Sequence, residues 1–358
     1  MIPGPTNTLT DVPGLRVGHY SRFGDGWLTG TTVVLAPPGG AVAGVDVRGG
    51  GPGTHETDVL DPRNLVERVD AIVLSGGSAY GLAAVTGVMA RLGDAGTGFL
   101  VGRAGQVVPI VPAAVLYDLG RGGAFRATPD AAFGAAAYDA ASNGPVGQGT
   151  IGAGTGAHTA AGIMGDPAGL GGVKGGVGSA STVLGGGLTV AALTVVNAVG
   201  STVDPRSGGL YGVRYGLADE FAGLRDPEPA ELVAARHRAL NAAQAEPATQ
   251  PFNTTLGVIV TDATLTKAQC QKLAGVTHDG MARAIRPVHS MFDGDTVFAL
   301  ATCAGPPPDP LAFNALLAVA ADTFSRAVAH GMLAATGVAG FHAYGELLPS
   351  AVRDWRGR

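Results

Sequence analysis

The chain has 358 residues, 46% apolar and only 14% charged, with a formal net charge of −5. That length can bury a large core, as one big domain or two intimately packed ones. The acidic balance, with no lysine/arginine cluster, excludes an electrostatic footprint for nucleic acid.

Glycine (59) and proline (23) are abundant. The glycines lie inside Val, Leu and Ala stretches, so they read as tight turns and close backbone approaches and not as disorder. Two cysteines, Cys270 and Cys303, are too few for a disulfide framework and fit a reducing cytoplasm. Met1 to Asn7 carries neither a basic nor an apolar signal region, and the apolar stretch Leu188 to Val199 is too short to span a bilayer. A cytoplasmic location is therefore expected, and the low charge points to an oligomer interface.

Thr31 to Ala36 is β-branched and closes at Pro37-Pro38, a strand signature. Ala41 to Val47 is expected to be its partner, with a turn at Gly49-Gly50-Gly51. Ala71 to Leu74 predicts a buried strand, followed by Ser75-Gly76-Gly77-Ser78 and a helix from Ala79 to Leu92 that stops at Gly93. Ala113 to Leu119 is a further apolar segment. Pro129-Asp130 opens an alanine-rich helix ending near Ser142-Asn143-Gly144. From Gly147 to Gly187 glycine is so dense that regular structure must be short. Leu188 to Val196 predicts a central strand, Pro229 to Ala245 a charged surface helix, and Glu246 to Phe252 a polar linker. Beyond Thr254 the pattern is a strand to Thr261, a helix over Lys267–Ile285, a strand over Thr296–Thr302 and a helix over Pro310–Leu333. The two strands are expected to pair in one sheet covered by both helices.

Gly152-Ala153-Gly154-Thr155-Gly156 and Gly172-Val173-Lys174-Gly175-Gly176 lack the spacing of a dinucleotide fingerprint or a P-loop. Gly76-Gly77-Ser78-Ala79-Tyr80 misses the nucleophile elbow because Tyr80 takes the last glycine position; Ser78 reads as a helix N-cap or a weak hydrolase nucleophile. His278 and His289, the histidines closest in sequence, form no metal motif, and Asp293-Gly294-Asp295 lacks the calcium-loop spacing. No metal or cofactor is expected.

The step Asn253-Thr254 carries more. A polar, proline-bearing segment, Gln250-Pro251-Phe252, changes there into the apolar run Leu256 to Val260. If Thr254 attacked the Asn253 carbonyl and water resolved the ester, Thr254 would emerge with a free α-amine of pKa about 7.7–8.0, able to serve as its own base. An ordinary loop ending is the bland alternative. Asp293 and Asp295, two apart, project to one face and need a cation nearby; a solvated turn is the alternative. Lys174 among small neighbours can be enclosed, where its pKa would fall, or can lie exposed on a loop. Asn197 interrupts an apolar strand and can donate to a developing oxyanion or merely end the strand. Tyr117 suits the core, with a hydroxyl that wants a polar partner.

In this order the segments Leu9-Thr10-Asp11-Val12-Pro13-Gly14-Leu15-Arg16-Val17-Gly18-His19, Asp46-Val47-Arg48-Gly49-Gly50, Leu74 to Leu82, Asn253-Thr254-Thr255 and Asp293-Gly294-Asp295-Thr296 are specific. The chain resembles the N-terminal-nucleophile hydrolases that include L-aminopeptidase/D-esterase, the β-peptidyl aminopeptidases and the nylon-oligomer (6-aminohexanoate-oligomer) hydrolase. The resemblance implies an α+β fold, an αββα sandwich, over 1–358. It also implies self-cleavage into an α chain, 1–253, and a β chain, 254–358, and assembly as a tetramer of processed protomers. With Asn-Thr at the cut and Asp-Gly-Asp near the end, the chain is similar to the threonine branch. By position this implies Thr254 as nucleophile, Lys174 as a group that hydrogen-bonds and tunes it, Asn197 and Tyr117 at the oxyanion site, and Asp293 and Asp295 as orienting groups. The expected activity is hydrolysis of peptide-like or oligoamide substrates without a cofactor. An exopeptidase on short peptides, peptide amides or esters is the alternative, with a related acyltransferase or an unprocessed glycine-rich binding protein beyond it.

Overall fold

A computed structural model describes residues 1–159, 170–245 and 252–355. In chain order the first half gives β1 (Arg16–Gly24), β2 (Trp27–Leu35), β3 (Ala41–Val47), β4 (Gly53–His55), β5 (Arg68–Val69), β6 (Ala71–Ser75), α1 (Ala84–Asp94), β7 (Ala113–Val115) and α2 (Ala131–Asp139). The second half gives β8 (Val177–Val183), β9 (Thr189–Val195), α3 (Pro229–Ala245), β10 (Leu256–Thr261), α4 (Lys267–Ala284), β11 (Thr296–Ala301) and α5 (Pro310–Ala334).

Five strands form one sheet in the order β1-β2-β6-β7-β4, and six form another in the order β8-β9-β10-β11-β3-β5. The period-two alternation of the strands decides which face goes where. In β10, Leu256, Val258 and Val260 point between the sheets to meet Val34, Ile72 and Leu74, while Ile259 points outward toward Leu273 of α4 and Phe324 of α5. In β2, Val34 points inward, and Val33 and Leu35 point out against Val85 and Val88 of α1. Helices α1 and α2 thus cover the first sheet and α4 and α5 the second, giving the αββα sandwich. Strands β10 and β11 pair in parallel, Leu256 opposite Thr296 through Thr261 opposite Ala301, as expected.

Ala41 to Val47 departs from expectation. It does not pair with β2, which lies between β1 and β6; it pairs with β11 and β5 in the other sheet. Pro37-Pro38 cannot supply two ladder donors, and Gly39 and Gly40 take φ of +89° and +76°, so the chain turns a corner between layers instead of closing a hairpin. The glycine-dense region likewise holds more order than expected, since β8 runs for seven residues. Its small side chains serve packing: a Cβ on Gly178 would lie 1.9 Å from the Ala327 carbonyl, so glycine lets α5 sit directly on the sheet. The helix expected from Ala79 begins as a 3-10 segment, Ser78–Ala83, before α1. Ser78 caps nothing; it sits at φ +51°, with its N–H donating to the Leu116 carbonyl.

Among the described residues α5 is long and apolar enough to cross a bilayer, yet 61% of its apolar window is buried inside the protein. It is the central core helix. Asp309 caps it by accepting from the N–H groups of Leu311 and Ala312, with Pro310 at the first turn. Of the polar linker expected over 246–252, residues 246–251 lie outside the described ones.

Candidate active site

Thr254 stands just ahead of β10 and is 3% exposed. Its backbone is held on both sides. The Thr254 N–H donates to the Asn197 carbonyl (2.8 Å), the Asn253 N–H to the Phe292 carbonyl (3.0 Å), and the Thr255 N–H to Asp295 Oδ1 (2.8 Å). The Thr254 hydroxyl folds back onto the preceding peptide and donates to the Asn253 carbonyl oxygen at 2.5 Å.

The Asp293-Gly294-Asp295 segment runs beneath this hydroxyl. A Cβ on Gly294 would lie 2.6 Å from Thr254 Oγ1 and 2.7 Å from the Gly51 carbonyl, so only glycine fits between the two aspartates. Gly49-Gly50-Gly51 is therefore a brace, not a hairpin turn. The Gly49 N–H donates to the Asp295 carbonyl at 3.3 Å and the Gly51 N–H to the Asp293 carbonyl at 2.8 Å.

Each aspartate anchors backbone next to Thr254. Asp293 Oδ1 accepts from the Val199 N–H (3.0 Å), two residues past Asn197, while its Oδ2 accepts from the Ser290 hydroxyl (2.6 Å). Burial, and then the Asp295 charge, push the Asp293 carboxyl up to about 6. Asp295 takes the Thr255 N–H on one oxygen and His289 Nδ1 on the other at 2.8 Å.

Lys174 is fully buried. Contrary to expectation its Nζ makes no hydrogen bond to Thr254 among the described residues; it donates to the carbonyls of Gly154 (2.8 Å), Ala157 (2.8 Å) and Gly175 (2.6 Å). Three acceptors suit an ammonium, but burial first and the Arg121 charge second lower its pKa well below the usual lysine range. Burial also raises the pKa of the nearby Asp118 carboxyl, against the opposing charges of Arg121 and Lys174.

Asn197, fully buried beyond the end of β9, is a junction. Its Oδ1 accepts from Arg121 (2.6 Å) and from the His158 N–H (3.1 Å), and its Nδ2 donates to the Tyr117 carbonyl at 3.3 Å. Tyr117 contributes that carbonyl and a ring 5.5 Å from Phe252; among the described residues its hydroxyl has no hydrogen bond.

Thr254, Asn253, Asn197, Asp293 and Asp295 are thus tied into one network. Lys174 joins it through the Ala157 carbonyl, next to the His158 N–H that meets Asn197 Oδ1, and Tyr117 borders it. The sequence reading missed two members. Arg121 bridges Asn197 and Asn253 through its two terminal nitrogens, each at 2.6 Å. His289 braces Asp295 from a residue at φ +57°. A signal existed for Arg121: a lone cation in the run Gly120-Arg121-Gly122-Gly123 of a charge-poor chain. His289 gave none, because its partner is set by the fold. Among the described residues no group of three or more His, Cys, Asp or Glu is placed to hold a metal ion.

Residues 7–344 match the model of peptidase family S58. The chain belongs to that family. An "uncharacterized aminopeptidase" of Mycobacterium tuberculosis is 48% identical, over 96% of this chain and 99% of its own. A 6-aminohexanoate-oligomer endohydrolase of Kocuria sp. is 33% identical, over 82% of this chain and 74% of its own. Among solved structures, a Burkholderia sp. beta-aminopeptidase superposes with a TM-score of 0.68 at 26% identity, covering 99% of this chain and 96% of that one. The L-aminopeptidase D-Ala-esterase/amidase of Ochrobactrum anthropi, described as a variant of the Ntn-hydrolase fold, gives 0.69 at 22% identity, covering 99% and 95%, and shares the fold. As a member of this peptidase family, with its N-terminal-nucleophile-hydrolase architecture, the protein is a peptidase or amidohydrolase.

Proposed function

We propose that this S58 peptidase is a self-processing amide hydrolase whose nucleophile is Thr254. One observation carries the reading: the Thr254 hydroxyl rests on the Asn253 carbonyl oxygen at 2.5 Å while the N–H groups of residues 253, 254 and 255 are all pinned. That geometry holds hydroxyl and carbonyl of one peptide together and removes much of the orientational cost of attack.

In the first step Oγ1 bonds to the Asn253 carbonyl carbon, the C–N bond to Thr254 breaks, and the departing nitrogen takes the proton that Oγ1 releases. Water then hydrolyses the ester, leaving a carboxylate on Asn253 and a free hydroxyl and α-amine on Thr254. In later cycles this amine accepts the hydroxyl proton as Oγ1 attacks a substrate amide and delivers it to the leaving amine, and water then hydrolyses the Oγ1 ester, releasing the acid and restoring the hydroxyl. The Asn197 carbonyl, which now accepts from the Thr254 N–H, orients the amine. Asn197 Nδ2 is held by a long bond to the Tyr117 carbonyl and is available to an oxyanion. Asp293 and Asp295 position Thr254 through Val199 and Thr255, and Lys174 tunes the site electrostatically.

The substrates are amides of short peptides or oligoamides. The 48% identity to relatives described as aminopeptidases gives weight to a second reading, an exopeptidase that needs a free substrate amine. Hydrolysis of N-acetylated against free-amine substrates separates the two. We also propose a homo-oligomer of processed protomers; the exposed apolar residues Phe99, Leu100, Val101 and Val108, close together in one hairpin, support it. For the nucleophile, Thr254→Ser should retain amide hydrolysis and Thr254→Ala should lose at least about 10³-fold. Equal rates in Thr254→Ala and wild type would contradict the proposal.

A further inference from the structure

Asn253 occupies the acyl side of the peptide that Thr254 addresses, so its surroundings describe the space that the acyl residue of a substrate must fill. Arg121 dominates that space. Its Nη1 donates to Asn197 Oδ1 (2.6 Å) and the Gly156 carbonyl (2.7 Å), and its Nη2 donates to Asn253 Oδ1 (2.6 Å). These acceptors are all uncharged, and among the described residues no carboxylate forms an ion pair with this guanidinium. Burial lowers its pKa to about 10, which still leaves it a cation at neutral pH. Lys174 is close enough to feel that charge, and the buried Asp118 carboxyl nearby partly offsets it without an ion-pair contact. On the other side of the carboxamide, Asn253 Nδ2 is buried and has no hydrogen-bond partner among the described residues. Asn253 therefore gives the guanidinium one acceptor and strands one donor, and a stranded buried donor is destabilising.

We infer that Arg121 reads the acyl residue of the substrate, and that the processed enzyme prefers amides whose acyl residue carries a carboxylate where Asn253 carries its carboxamide: aspartyl-type substrates. The inference rests on the Thr254 reading above. A carboxylate strands no N–H and offers two oxygens to a planar guanidinium, a charge-assisted and geometrically matched pairing. An asparaginyl group keeps one of those bonds. An aliphatic acyl group leaves the cation facing apolar surface, the case in which a polar site rejects an analogue most strongly.

The test uses the purified full-length protein with the 4-nitroanilides of aspartate, asparagine and leucine, each with a free and an acetylated amine. Denaturing mass records processing in the same samples. The expected kcat/KM order is aspartyl, asparaginyl, leucyl, with aspartyl ahead of leucyl by at least about 10²-fold. In processed Arg121→Gln the aspartyl-to-leucyl ratio should fall at least about tenfold, and Arg121→Lys should restore part of it. If Arg121→Gln stays uncleaved, the wild-type ranking alone decides. Processed, active wild type that cleaves the leucyl anilide as fast as the aspartyl one overturns the inference and leaves the nucleophile reading standing. An uncleaved wild type inert toward every anilide overturns the nucleophile reading itself.

Discussion

Gly294 shows how much of this site depends on a missing side chain. Any Cβ there would collide with Thr254 Oγ1 and the Gly51 carbonyl. Gly294→Ala should cost about 1–3 kcal/mol as an overpacking change and slow self-cleavage by about tenfold or more, read as intact precursor over time by denaturing mass. Asp293 adds a pH effect. Its folded pKa is raised to about 6 by burial and by Asp295, so between about pH 4 and 6 the native state binds more protons than the unfolded chain. Stability should therefore fall as pH rises through that window, and melting temperatures of Asp293→Asn should be flatter across it than those of wild type. Thr254 stood out in the sequence at the junction of a polar and an apolar segment, and Lys174 and Asn197 as polar interruptions of glycine-rich and apolar runs, while the roles expected of them came from the family resemblance. Arg121 and His289 were not legible there, because their meaning comes from Asn197, Asn253 and Asp295, which only the tertiary fold brings to them.

At the scale of elements, α5 is joined to the rest of the molecule by a buried charge cluster remote from Thr254. Arg326, fully buried, donates to Glu220 Oε2 (2.6 Å) and Oε1 (2.9 Å), to the Ser181 carbonyl on β8 (2.9 Å) and to Asn7 Oδ1 (2.8 Å). His330, one turn further on, meets Glu220 Oε1 at 2.6 Å. Burial pushes the Glu220 pKa up, but the hydrogen bonds from His330 and Arg326 prevail and hold it down at about 2. Its contribution is present above about pH 4.5 and is lost as pH falls toward 2. Glu220→Ala leaves Arg326 buried and uncompensated and should cost about 3–5 kcal/mol, a drop of roughly 10 °C in melting temperature by calorimetry. Element identity was largely readable: Pro229–Ala245 is a helix over the expected range, and β10, α4, β11 and α5 follow in the expected order. The assignment of β3 to a sheet was not, because a period-two apolar strand fits either layer and the Pro37-Pro38-Gly39-Gly40 corner settles the choice only in three dimensions.

For the whole molecule, the two sheets close on each other so that Asn253 and Thr254 lie inside, 2% and 3% exposed. A peptide bond at that depth is sheltered from an outside protease, so the proposed cleavage has to come from within the fold. The αββα layering was visible to the sequence reading through a family resemblance, while the burial of the bond was not, because loop composition alone places an Asn-Thr step at the surface. The most direct test is the denaturing mass of purified wild-type protein beside Thr254→Ala. The account predicts two fragments in wild type, residues 1–253 and 254–358, and a single intact chain in Thr254→Ala. An intact wild-type chain, or the same two fragments from Thr254→Ala, would contradict it.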